Sequence, residues 1–380
     1  MRYISAHYVF PVSSPPLKNG IVCVGDDGCI IDVIDTGGKL IEREKLEFYN
    51  GILVPGFVNA HCHLELSHLR DTVQPHSGLP EFISAIGKQR RSDFDAAKEA
   101  DREMTRNGIV AVADISNSAD TISLKKDSNI MYHTFVELFG LDGNRAKTIF
   151  AAGLQLMEKF TNAGLDASLT PHAIYSVSRE LWEEFNKSCP SVVSIHHRES
   201  SEEMNIFFEG KGKLAEALRK SGALTDNNKT SKDVVQKMVS FLQQSSKCLL
   251  VHNTFSTRED LITACNFHYV LCPCSNLFIQ NCLPDLLLFS NCQNVCLGTD
   301  SLASNTSLSI LEEMKIIHQH APYISLNTLI RWATLNGARA LGFDSSLGSF
   351  EKGKSPGVNL IAEIDFDNMR LTARSAVKVL

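Results

Sequence analysis

The sequence predicts an α/β protein: a (β/α)8 barrel of the TIM type, with a small β-sandwich domain built from both chain termini at its side. Two observations predict it. Eight short apolar, β-branched runs recur between residues 52 and 301 with helical segments between them, and the first 50 residues and the chain end stand outside that rhythm. Alternation of this kind means a parallel sheet with crossover helices, and eight repeats suit a closed barrel. Length agrees without deciding: 380 residues, 43% hydrophobic and 21% charged, bury a large core. They do so either as one barrel of about 250 residues with an appendage or as two or three smaller domains.

Taken in order, residues 1–52 offer hairpin-like strands around Gly20, Asp26-Asp27-Gly28 and Gly37-Gly38, with alternating apolar positions at Ile21, Cys23, Ile30 and Val33. Pro55-Gly56 marks the entry to the barrel, which is expected over 53–342. Its strands are the runs 52–61, 108–116, 130–140, 166–174, 191–197, 248–255, 268–276 and 294–301. Helices are expected over 91–107, closing on Gly108, and over 146–162, 178–187, 232–246 and 307–320, with two more at 325–341. Residues 343–380 return to Gly/Pro turns and short strands, and are expected to pair with 1–52 in the small β domain. The segment 201–230 interrupts the rhythm after the fifth strand, where an insertion overhangs the C-terminal mouth and shapes a substrate pocket.

Composition narrows the partners. A net charge of −6 with no basic run argues against nucleic acid. No stretch approaches the roughly 18 uninterrupted apolar residues of a membrane span, and the N-terminus has no basic-then-apolar export pattern. Eleven cysteines, odd in number and without a CxxC pair, read as buried thiols in a reducing compartment, so a cytoplasmic protein with a small-molecule substrate is expected.

The sharpest local feature is His61-Cys62-His63 at the end of the first barrel strand. Alternate strand residues face one side, so both imidazoles point inward at one metal while Cys62 faces outward. Alone the triplet is weak, since chance supplies roughly 0.4 such triplets in a chain of this composition. His318-Gln319-His320 has the same spacing inside an apparent helix, where residues two apart diverge. The first pair gains weight from further residues at later strand ends: His172, then His196 or His197 with Glu199, then His252 and Asp300. In a barrel those ends converge on one mouth. Each alone has an ordinary structural explanation, a hydrogen-bonded scaffold histidine or a helix cap, but five coincidences on separate strands do not.

These residues resemble the amidohydrolase superfamily, in its mononuclear deaminase and chlorohydrolase branch. The matching segments are PGFVNAHCHLELSHL (55–69), GIVAVADIS (108–116), TPHAIYSVS (170–178), HHRES (196–200), VHNTF (251–255), CPCSNL (272–277) and GTDSLASN (298–305), in family order over nearly the whole chain. The resemblance implies one divalent metal, zinc or iron, held by His61, His63, His196 and Asp300. His196 is preferred over His197 because the family places a glutamate three residues after the ligand, as Glu199 is here. Binuclear relatives bridge two metals with a modified lysine at the end of strand four, and ASLTPHAIYS has none. The family also commonly self-associates, which implies a homo-oligomer.

Roles follow from chemistry. A hydrolase at neutral pH needs a nucleophile, and a Lewis-acidic metal lowers the pKa of water from about 15.7 to near 7. Asp300 accepts the proton released, His252 orients the hydroxide, and Glu199 protonates a ring nitrogen so that the adjacent carbon is attacked and ammonia leaves. The segments HLELSHL, CPCSNL and GTDSLASN look most like deaminases of adenosine-type compounds, including S-adenosylhomocysteine, methylthioadenosine and aminodeoxyfutalosine. His172 matches a position that contacts substrate, and Glu65, His68, Ser304 and Asn305 contact the ribose or support the metal ligands. Relatives that accept a carboxylate-bearing nucleoside often have a basic residue where this chain has Cys274, so the expectation stops at a purine nucleoside unless Arg198 or a lysine of 201–230 substitutes. The alternatives are guanine or pterin deamination or a chlorohydrolase reaction on the same site, and, from another class, a non-enzymatic scaffold protein.

Overall fold

The computed structural model describes residues 1–188, 190–209, 211–220, 242 and 247–380. The first strands in the chain are β1 (Arg2–Val9), β2 (Leu17–Lys18), β3 (Ile21–Val24), β4 (Ile30–Ile34) and β5 (Leu46–Pro55). The expected hairpin is β3 against β4, registered Ile21 to Ile34, and its turn is closed by the Gly25 amide donating to the Cys29 carbonyl at 2.8 Å. Eight parallel strands follow: β6 (Phe57–Cys62), β7 (Ile109–Ser116), β8 (Met131–Leu138), β9 (Asp166–Pro171), β10 (Val192–His197), β11 (Lys247–His252), β12 (His268–Leu271) and β13 (Val295–Leu297). β14 (Val358–Asp365) and β15 (Arg370–Val379) end the chain. The two terminal segments share one seven-stranded sheet in the order β15-β14-β5-β1-β3-β4, with β2 on β1.

The apolar run 52–61 is two strands in two sheets. It divides at Gly56, where an added Cβ would lie 2.4 Å from a Val110 methyl and 2.5 Å from the Pro356 carbonyl oxygen, so only glycine lets the chain pass. Residues 52–55 pair with β14, Ile52 opposite Ile361, while 57–62 join β7. The run 268–276 also stops early: β12 ends at Leu271, and Pro273 opens the helix Pro273–Gln280, at a first-turn position where its missing N–H costs nothing.

The parallel strands form two four-stranded sheets, β6-β7-β8-β9 and β10-β11-β12-β13, whose edges meet at two seams. At one, the Thr170 hydroxyl donates to the Ser194 carbonyl, Ser168 Oγ donates to Val192 O at 3.0 Å, and the His196 amide donates to His172 O at 2.9 Å. At the other, the amides of Thr299 and Asp300 both donate to His61 O at 3.0 Å. Strand residues Val58, Ala60, Ala111, Ala113, Phe135, Leu249, Val251 and Val270 make one buried cluster, against which Ala338 and Ala340 of the helix Leu335–Leu341 pack.

The expected helices stand at Phe94–Arg106, Ala146–Asn162, Arg179–Phe185 and Ile310–His320, with Leu326–Ala333 and Leu335–Leu341 closing the series. The one expected over 232–246 lies outside the described residues apart from Leu242, as do residues 221–230 of the insertion, whose earlier part carries the helices Ser201–Glu209 and Lys213–Lys220. No helix among the described residues is long and apolar enough to cross a membrane, and the ten described cysteines are free thiols. His318 and His320 fall in the last helical turn, where His318 Nδ1 accepts the Leu371 amide at 3.3 Å.

Candidate metal centre

The His-Cys-His triplet is not plain alternation. The register of β6 against β7 shifts between Asn59 and Cys62, a bulge of the kind that re-aims side chains beside active sites. Cys62 then pairs with Asp114 while His61 and His63 meet Nε2 to Nε2 at 3.2 Å. Gly298 makes room, since a Cβ there would sit 2.9 Å from His61 Cβ. Asp300 has φ +56° and turns Oδ1 to 3.7 Å from His61 Nε2 and 3.6 Å from His63 Nε2. The ring of His196 lies 4.9 Å from that of His61 and 5.4 Å from that of His63.

In His196 and His252, hydrogen bonds fix which ring nitrogen is free. His196 Nδ1 lies 3.0 Å from the His172 carbonyl oxygen, an acceptor only, so Nδ1 carries the proton and Nε2 keeps its lone pair. His252 Nδ1 meets Asn276 Oδ1 at 3.0 Å in the same sense, leaving a buried Nε2 with no hydrogen-bond partner among the described residues, 3.8 Å from Glu199 Oε1. The register sets His252 opposite His197, yet its ring lies 5.4 Å from that of His196; φ at His252 is +75°, a departure from strand geometry that goes with this re-aiming.

These residues fit a divalent cation. Ligand atoms held tetrahedrally at about 2.1 Å from zinc lie about 3.4 Å from each other, and the spacings among His61, His63 and Asp300 are 3.2, 3.6 and 3.7 Å. Burial, reinforced by neighbouring imidazoles, pushes His61 and His196 well below the usual histidine range, so both are neutral with lone pairs to give. Burial works against charge on Asp300, but His63, His252 and His61 with the Ser275 hydrogen bond outweigh it and hold the carboxyl well below the usual range. Glu199 moves the other way: burial, then the charge of Asp300, raises it to about 8. One carboxyl is thus ionised and its neighbour protonated at neutral pH, the separation that acid–base chemistry needs.

The remaining expected residues divide into two sets. Ser304 and Asn305 sit behind the cluster: Ser304 Oγ donates to Asp300 Oδ2 at 2.7 Å, and Asn305 Nδ2 donates to Thr299 O and Glu313 Oε1, each at 2.8 Å. His172 stands beside it, ring 4.6 Å from that of His196, with Nδ1 held by Ser176 Oγ at 2.7 Å. Glu65 lines a cavity of about 880 Å³ with Arg90, Asn117, Glu137, Phe139 and Arg145, and pairs with Arg90. His68 is tied to backbone, to Glu65 O and Gln89 O at 3.2 Å each. A terminal nitrogen of Arg198 pairs with Asp260 at 2.7 Å while its buried Nε finds no acceptor among the described residues, and the Cys274 amide donates to Glu313 Oε2 at 2.8 Å.

Several residues here escaped sequence reasoning. Glu203 accepts from the amides of Glu199 (2.7 Å), Arg198 (3.1 Å) and Ser200 (3.2 Å), fixing the turn that carries Glu199. Ser275 and Asn276 stand in the CPCSNL segment, so their position was visible although their partners were not. Glu137 has one carboxylate oxygen near His172 and His196, the three ligand atoms lying within 4.8 Å of one another, and its only signal was a strand-end acid in an apolar run.

A His/Asp pocket at the ends of parallel strands marks a candidate metal site on an α/β scaffold. The chain belongs to the amidohydrolase family, whose sequence pattern matches residues 52–374. It is 27% identical to a 5-methylthioadenosine/S-adenosylhomocysteine deaminase of Saccharophagus degradans, over 97% of this chain and 84% of that one. It is 29% identical to an aminodeoxyfutalosine deaminase of Nitratiruptor, over 87% and 85%. In fold it matches a Helicobacter pylori aminofutalosine deaminase solved with methylthio-coformycin, with TM-score 0.79, 23% identity, and coverage of 96% and 93%.

Proposed function

We propose that the protein is a metal-dependent hydrolytic deaminase that cleaves the C–N bond of a cyclic amidine in an adenosine-like purine nucleoside. The observation that carries the reading is geometric: His61, His63 and Asp300 offer ligand atoms 3.2 to 3.7 Å apart, and His252 Nε2 lies beside them 3.8 Å from Glu199 Oε1. The names of the relatives support the substrate class. We read the two four-stranded sheets, joined at their seams, as one closed barrel over 53–342, with 1–52 and 343–380 as a flanking β-sandwich domain. The free thiols support a reducing, cytoplasmic setting.

His61, His63, His196 and Asp300 would hold one divalent ion, zinc in the first instance, and when bound it supplies the Lewis acidity that makes water a nucleophile at neutral pH. Glu199 gives its proton to the ring nitrogen beside the amino-bearing carbon, making that carbon electrophilic. Water adds there as Asp300 takes one of its protons, with His252 Nε2 directed at the incoming oxygen. Asp300 returns its proton to the amino group, which leaves as ammonia. The remaining water proton passes back to Glu199 as the product carbonyl forms, so the acid is regenerated.

The complete set of polar groups argues against a scaffold that has lost its chemistry. The test is an ammonia-release screen across adenosine derivatives, guanine, pterins and cytosine. Release from the adenosine group is expected, and activity only outside it would overturn the substrate assignment in favour of another reaction of the same site.

A further inference from the structure

The acid expected to meet the sugar, Glu65, has little left to offer. Its Oε1 takes Arg90 and its Oε2 accepts the Asn117 amide at 3.0 Å. Asn117 also reaches the other way, Nδ2 donating to Glu137 Oε2 at 3.2 Å. Glu137 Oε1 is different: it is buried and has no hydrogen-bond partner among the described residues. The nearest histidine nitrogen, His196 Nδ1 at 3.9 Å, already donates to the His172 carbonyl. The Glu137 side chain is only 6% exposed, yet it lines the 880 Å³ cavity with Phe139 and Arg145, while a carboxylate oxygen lies within 4.8 Å of ring nitrogens of His172 and His196. A buried carboxylate oxygen without a donor requires one, and the open side is the cavity.

We propose that Glu137 forms a hydroxyl-recognition subsite, its free oxygen accepting from the vicinal diol of the substrate's sugar while Asn117 holds the other oxygen in place. The proposal rests on the nucleoside reading above. With the purine over the metal ligands and beside His172, the sugar would lie toward Glu137, which stands next to His172 and His196 at the edge of the cavity. The diol supplies two donors and no charge, which suits a carboxylate that is braced by an amide.

The test compares kcat/KM for adenosine and 2′,3′-dideoxyadenosine in the wild type, Glu137→Gln and Glu137→Ala. A hydrogen bond to a charged acceptor predicts a preference for the ribonucleoside of about 10- to 100-fold in the wild type. That preference should shrink in Glu137→Gln and approach unity in Glu137→Ala, through loss on adenosine and not on the dideoxy compound. An unchanged ratio in the variants, or equal loss on both substrates, overturns the subsite. Glu137→Gln keeps shape and decides the matter if the alanine variant does not fold. A wild type that releases ammonia from no nucleoside overturns the deaminase assignment and this subsite with it, whereas a deaminating wild type with unchanged ratios in the variants overturns the subsite alone.

Discussion

Asp300 offers its two carboxylate oxygens to different partners: Oδ2 accepts from Ser275 Oγ and Ser304 Oγ at 2.7 Å each, while Oδ1 faces His61 Nε2 and His63 Nε2. The two hydroxyls set the angle at which Oδ1 enters the pocket. Removing such an outer partner typically lowers metal affinity about 10- to 100-fold. Ser304→Ala should therefore lose metal to a competing chelator at that level while KM for the substrate barely moves. A change confined to KM would put Ser304 against the substrate instead.

Glu199 must be protonated to act as an acid, and its carboxyl titrates at about 8. Turnover should be level below that value and fall as pH rises through it. Glu199→Gln should cost about 10²- to 10⁴-fold in kcat, the usual worth of a positioned acid, and should abolish the alkaline limb in a kcat–pH profile. A variant with near-normal rates would refute the role.

Much of this was legible in the sequence because the candidate site sits on strand ends and the parallel sheets gather strand ends at one side. The eight apolar runs, His61, His63, His196, Glu199, His252 and Asp300 were all readable as positions. What periodicity missed is local deviation: the bulge between Asn59 and Cys62, the left-handed backbone at His252, and the break at Gly56 that sends one run into two sheets. Supporting partners were also hidden, because Glu203 and Glu137 declare themselves only through the amides and cavity they face. Ser304 and Asn305 illustrate the same limit, since an identical polar side chain serves a substrate or a ligand according to geometry alone.

Elemental analysis of the purified protein should find about one equivalent of zinc or iron, because the proposed ligands His61, His63, His196 and Asp300 are buried together and would hold metal in the folded state. Stripping it with a chelator should abolish ammonia release and lower the melting temperature by mass action. A folded, metal-free, fully active protein would remove the basis of the deaminase assignment.

Glu203 provides a pH signature separate from turnover. Burial, then the neighbouring Glu199, raises it from the ordinary 4.5 to about 8. The folded protein keeps a proton that the unfolded chain loses above about 4.5, so the unfolded state binds fewer protons and stability falls with rising pH across that interval. The contribution is complete below 4.5 and gone above about 8. Thermal melts of the metal-free protein should fall across that interval, and Glu203→Gln should reduce the slope by about a third, since Glu199 and Glu313 are raised to about 8 as well and supply the rest; an equal slope in both would show that Glu203 does not contribute.

A fully buried ion pair stands behind the proposed metal ligands. Lys125 Nζ lies 2.6 Å from Asp114 Oδ2 with both side chains fully buried, and Lys125 also donates to Ser116 Oγ at 3.1 Å and Thr134 Oγ1 at 2.9 Å. Asp114 Oδ1 accepts the amide of Leu64 at 2.7 Å, directly after His63. Lys125→Met leaves a buried carboxylate uncompensated and should cost about 3–5 kcal/mol in denaturant unfolding. Replacing both partners with apolar residues, Lys125→Met with Asp114→Leu, should restore most of that stability because no buried charge remains. It also deprives the Leu64 amide of its acceptor, so metal retention should stay weak in the double variant although its stability returns. Recovery of both together would mean that the pair holds the fold and does nothing for His63.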